Sequence, residues 1–202
     1  MAMIKAVIFD WGGVLIDNPE PGLMRYCSAA FGVDEEVYVK AHRKYAADFQ
    51  NGFITEDEFW AGVCGELGVS MPKADSLWLD AFRAVYSPKK DMFALAAALK
   101  KNKYKTALLS NAEIPTINYF WSQGYDMFDV AIFSCDEGIM KPQRGIYETV
   151  LEKLHVKAEE TVFIDDRQVF TDGAQAIGMN TILFESCEQV KATLARFGIK
   201  TD

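Results

Sequence analysis

IKAVIFDWGGVL, residues 4–15, is the stretch whose reading decides the fold. Its first half is a continuous apolar run rich in β-branched and aromatic residues, with none of the alternation of a strand that has one wet face. Closed by Asp10 and followed by Gly12 and Gly13, it reads as a strand buried on both faces that stops at a sharp turn. Four runs of the same kind follow: TALLS (106–110), VAIFS (130–134), TVFID (161–165) and TILF (181–184). Helical patterns lie between and after them at 92–101, 114–124, 146–156, 171–178 and 187–198, the last closing on Gly198 as a C-cap. Strands that alternate with helices in this way predict an α/β fold with a doubly wound parallel sheet.

Between residues 17 and 88 that rhythm breaks. Helical patterns at 23–32, 35–50, 56–68 and 74–87 occur there with no strand run, and Thr55 with Glu58 has capping-box spacing. Four amphipathic helices of this size make a small bundle. The expected organisation is a core of residues 1–16 and 89–202, with a helical bundle of residues 17–88 inserted after strand one and hinges near Asp17 and Pro88.

The composition is that of an ordinary globular chain. Half of the 202 residues are apolar and a quarter are charged, which disfavours disorder and disulfide scaffolds. With 21 basic and 29 acidic residues the net charge is −8, so a polyanion such as nucleic acid is not an expected partner. Cys27, Cys64, Cys135 and Cys187 lie far apart and form no C-x-x-C pair. The N-terminal apolar run is too short for a signal peptide, and no run approaches a membrane span. A cytoplasmic protein with reduced thiols is expected.

Ligands of open parallel sheets bind outside the carboxyl ends of the strands, so the residues that close the strands carry the chemistry. Here these are Asp10, Ser110 with Asn111, and Asp165 with Asp166, while Lys141 follows the third strand. Clustered carboxylates raise one another's proton affinity unless a hard cation and an ammonium compensate. Mg²⁺ and Lys141 would supply those charges. Each residue also has a plainer use: turn chemistry for Asp10, helix capping for Asp165 or Asp166, a solvated amine for Lys141, backbone satisfaction for Ser110.

Four motifs stand in order, each after an expected strand: FDWGGVL (9–15), LLSN (108–111), GIMKP (138–142) and FIDDRQVFTDGAQAIGM (163–179). Together they resemble the haloacid dehalogenase-like hydrolase superfamily along essentially the whole chain, with the helical insertion lying where that family carries a helical cap. The SN dipeptide and the IDD form are most similar to its sugar-phosphate phosphatases and to the phosphatase domain of soluble epoxide hydrolases. The resemblance implies that Asp10 is a nucleophile forming an aspartyl-phosphate on a small phosphorylated metabolite. It implies that Ser110 and the backbone near Asn111 hold the phosphoryl oxygens, and that Lys141 neutralises them and orients Asp10. It further implies Mg²⁺ on Asp10, the Gly12 carbonyl and Asp166, with Asp165 in support.

Two departures from the family pattern bear on function. Gly12 stands where the phosphatases usually carry a second Asp that protonates the leaving group, which predicts slow turnover. Phe170 stands where an acid or Asn is common, with Asp172 nearby at what reads as a helix start. The alternatives are a 2-haloacid dehalogenase, whose halide leaves without a proton, and a non-catalytic phosphate-binding regulator. Asp17 reads as a cap or hinge residue. His42, Arg43, Lys44, Tyr45 and Trp60 of the insertion receive no site role, and Tyr119, Phe120 and Trp121 read as packing.

Overall fold

The computed structural model describes residues 3–202. All five apolar runs form strands: β1 (Ala6–Phe9), β2 (Lys105–Ser110), β3 (Val130–Phe133), β4 (Thr161–Asp165) and β5 (Asn180–Leu183). They make one parallel sheet in the order β3-β2-β1-β4-β5. Successive β1 residues serve opposite faces, Val7 and Phe9 in one apolar cluster and Ala6 and Ile8 in the other. The chain winds outward from β1 in one direction to β2 and β3 and in the other to β4 and β5, so the carboxyl end of β1 is the topological switch point.

The segment between β1 and β2 is helical: α1 (Glu20–Phe31), α2 (Glu35–His42), α3 (Ala46–Gln50), α4 (Glu56–Leu67) and α5 (Leu77–Val85), then α6 (Lys90–Lys101) against the sheet. The capping box forms, with Thr55 Oγ1 accepting from Glu58 N at 3.2 Å and Glu58 Oε2 accepting from Thr55 N at 2.7 Å. The helix expected over 35–50 is in fact two. Lys44 and Tyr45 donate to the carbonyls of Ala41 and His42, three residues back, so the turn tightens and α3 starts in a new direction. The remaining helices are α7 (Ile114–Ser122), α8 (Ser134–Glu137), α9 (Arg144–Leu154), α10 (Gln168–Gln175) and α11 (Cys187–Arg196). Phe120 and Tyr119 pack as expected; Trp121 instead lies mostly in solvent, 57% exposed, with its ring plane at 77° to that of Phe133.

One apolar cluster is continuous from the sheet into the inserted helices and joins Val7, Phe9 and Leu108 to Phe59, Trp60, Trp78 and Phe82. Trp11, just past β1, bridges the two parts: its ring centroid lies 5.3 Å from Phe82, 5.2 Å from Phe120 and 6.2 Å from Phe133. The two crossings between sheet and insertion run side by side. Asp17 N donates to Ser87 O at 2.9 Å, and Ser87 Oγ donates to Asp17 Oδ2 at 2.6 Å. Among the described residues no helix is long and apolar enough to cross a membrane.

Candidate active site

Register places the site. Phe9 pairs with Leu108 on one side and Ile164 on the other, so Asp10 comes next to Asp165 just beyond the ladder, and Asp10 N donates to Ile164 O at 2.9 Å. Lys141 arrives from the loop after α8 and is itself pinned to the end of β2. Its backbone N donates to Asn111 Oδ1 at 2.9 Å, and Asn111 Nδ2 donates to its carbonyl at 3.0 Å. The Asn111 side chain is therefore committed to Lys141, and what it offers a ligand is backbone. Ser110 Oγ has only a 3.5 Å contact to the Asn111 carbonyl and is free to donate elsewhere.

The Lys141 ammonium, 1% exposed, donates to Asp10 Oδ1 and to Asp165 Oδ2, each at 2.7 Å. Asp165 spends its other oxygen on Arg167 N at 2.9 Å, which leaves it as a support that orients Lys141. Burial pushes the Asp10 carboxyl up to about 7; Lys141 pulls against that shift and Asp165 adds to it. Burial and Asp165 likewise raise Asp166. Burial works against the Lys141 ammonium, but the two carboxylates outweigh it and hold its pKa above the ordinary lysine value.

Asp10, Asp165 and Asp166 each bring a carboxylate oxygen within 4.8 Å of the others. Three carboxylates against one ammonium leave a surplus of two negative charges when all are ionised. That surplus, presented by hard oxygen donors, is what a small divalent cation neutralises, so the residues fit Mg²⁺. Gly13 makes room for the arrangement: its φ is +88°, and a Cβ there would run into the Asp166 carboxylate. The Gly13 carbonyl is held in turn by Lys89 Nζ. Two cations stand over the Phe170 ring, Lys141 Nζ 4.9 Å and the Arg167 guanidinium carbon 4.4 Å from its centroid.

A cavity of about 380 Å³ opens from these groups and runs beneath the inserted helices. Asp10, Gly12, Ser110, Asn111, Lys141 and Asp166 all line it, whereas Asp165 is fully buried behind them. Asp17 and Asp172 do not line it. Of the insertion residues left without a role, His42 reaches the cavity and Arg43, Lys44, Tyr45 and Trp60 do not. Residues outside the four motifs also line it, Gln50, Trp78, Glu113 and Thr116 among them, as does Arg167, which the fourth motif contains but which received no role. Glu113 had one available signal, since it stands three residues past the end of β2.

The chain is 28% identical over 183 residues to the sesquiterpene phosphatase of Aspergillus oryzae, covering 87% of each. It is 27% identical over 177 residues to the D-ribitol-5-phosphate phosphatase of Bacteroides thetaiotaomicron, covering 81% of this chain and 84% of that one. The fold is shared with a solved Bacteroides thetaiotaomicron enzyme in complex with magnesium and inorganic phosphate, at 24% identity and a TM-score of 0.74 over 90% of this chain and 94% of that one. Residues 4–178 match the model of haloacid dehalogenase-like hydrolases, and with the ordered strand ends and their carboxylates this makes the chain a member of the haloacid dehalogenase-like hydrolase family.

Proposed function

We propose that the chain is a Mg²⁺-dependent phosphatase that hydrolyses a small phosphorylated metabolite, with Asp10 as nucleophile. The observation that carries this reading is the convergence of Asp10, Asp165 and Asp166 with the buried Lys141 at the switch point of the sheet. The two phosphatases similar in sequence and the magnesium and phosphate complex of a protein with the same fold support it. Asp10, Asp166 and the Gly12 carbonyl would hold the metal. Bound Mg²⁺ supplies the positive charge that lets an anionic nucleophile approach an anionic phosphate.

Lys141 fixes Asp10 through Oδ1, which leaves the second carboxylate oxygen to attack phosphorus. That oxygen forms the new O–P bond as the bond to the substrate alcohol breaks. Ser110 Oγ and the backbone at Asn111 steady the phosphoryl oxygens. Water then attacks phosphorus, the Asp10 O–P bond breaks, and the carboxylate returns as inorganic phosphate leaves. Gly12 has no proton to give, so the departing alcohol takes its proton from water and turnover is slow for poor leaving groups. Helices α1 to α5 act as a cap over the cavity, hinged where Asp17 and Ser87 cross.

Phosphate release from an aryl phosphate, measured with Mg²⁺ and with excess chelator, tests the reading. Release that stops with the metal is expected. Release that persists in chelator overturns it, as does halide release from a 2-haloacid in its place. Phosphate that stabilises the fold while no ester is ever consumed would mark a binding protein instead.

A further inference from the structure

The two ends of the cavity differ in chemistry. Asp10, Ser110, Lys141 and Asp166 stand at the phosphoryl end, and Arg167 belongs there too, because it lies on the same Phe170 ring as Lys141. Beneath the inserted helices the walls are Trp11, Leu23, Met24, Trp78 and Phe82, each at most 6% exposed.

At that second end the buried Glu113 is paired with its neighbours, the buried Trp11 Nε1 has no partner, and Asn18 and Glu20 are exposed. Glu113 Oε1 accepts from Gln50 Nε2 at 3.0 Å, and its Oε2 accepts from Trp78 Nε1 at 3.1 Å and from Thr116 Oγ1 at 3.3 Å. Asn18 Oδ1 accepts from Glu20 N at 3.1 Å. His42 lies flat on Trp78, with ring centroids 5.6 Å apart and planes 7° from parallel, and burial holds it neutral. Lys141 and Arg167 are the only Lys or Arg lining the cavity among the described residues, and both are at the phosphoryl end.

Among its buried polar atoms such a wall leaves one donor for a polyol, Trp11 Nε1, and it has no cation for a second anion. Hydroxyls placed there would lose water for few new partners, and an anion would find no cation to meet it. An apolar group gains from the same wall by leaving water. We infer that the alcohol carried by the phosphate is uncharged and largely apolar, an alkyl, prenyl or aryl group held against Leu23, Met24, Trp78 and Phe82. This substrate class rests on the phosphatase reading.

Binding separates the two claims. With Mg²⁺ present, calorimetry compares hexylphosphonate with 2,3-dihydroxypropylphosphonate, neither of which can be hydrolysed. Hexylphosphonate is expected to bind at least about tenfold more tightly. Leu23→Asn and Met24→Gln should each shrink that ratio severalfold, with melting curves identifying any variant that fails to fold. Equal binding, or tighter binding of the dihydroxy compound, overturns the apolar assignment. Phosphate release from phenyl phosphate is measured alongside: its absence counts against the phosphatase reading alone, because the binding ratio decides the pocket.

Discussion

Gly13 shows how one residue controls the candidate metal site. At φ +88° and with Asp166 where a Cβ would stand, Gly13→Ala meets both backbone strain of about 1–2 kcal/mol and a direct collision with a carboxylate. Asp166 has to move, so the Mg²⁺ concentration for half-maximal phosphate release should rise about tenfold or more; an unchanged titration would show that Asp166 does not hold the metal. Gly12 is a different case, because its φ lies outside the left-handed region. A Cβ there would lie 3.2 Å from Pro19 Cδ, which is tight but open to a small shift. Gly12→Asp should therefore accelerate alkyl phosphates by about tenfold or more and aryl phosphates less, since only the poor leaving group needs the added acid. Equal acceleration of the two, or none, would mean that another group already donates the proton.

At the scale of elements, α2 and α5 meet through His42 and Trp78, and this contact makes stability depend on pH. Burial, with Arg43 adding to it, lowers the His42 imidazole to about 4, below its value of 6.5 in an unfolded chain. Between those values the unfolded chain binds the proton more readily. The contribution of a neutral His42 is thus present above about pH 6.5 and is lost as pH falls toward 4. The shift corresponds to roughly 3 kcal/mol at most. His42→Phe keeps an aromatic ring on Trp78 and removes the titration. Urea unfolding at pH 7 and pH 4.5 should then show the unaltered chain losing about 1–3 kcal/mol more than the variant, and equal losses would contradict the assignment. Helix α5 is tied, together with α3, to the segment after β2 by Glu113, whose carboxylate collects Gln50 from α3 and Trp78 from α5.

For the whole molecule, legibility in the sequence followed distance along the chain. The five strands could be read because strands buried on both faces are short continuous apolar runs, and Asp10, Ser110 and Asp165 because each closes or directly follows its own strand. The far end of the cavity could not be read in this way. Gln50 and Glu113 are 63 residues apart, Trp78 and Glu113 are 35 apart, and only the packing of the inserted helices brings them together. Arg167 was hidden for another reason: its place depends on Phe170, which the motif marks only as a departure. The break between α2 and α3 was equally silent, since the residues of 35–50 keep a helical pattern while the backbone tightens at Lys44 and Tyr45.

The whole arrangement places Asp10 at the centre, fixed by β1, held by Lys141 and facing the cavity. Phosphate release from an aryl phosphate at saturating Mg²⁺, compared between the unaltered chain and Asp10→Asn, therefore tests the account most directly. The amide cannot form the aspartyl-phosphate, so release should fall at least ~10³-fold. Release by Asp10→Asn at the rate of the unaltered chain would contradict the account.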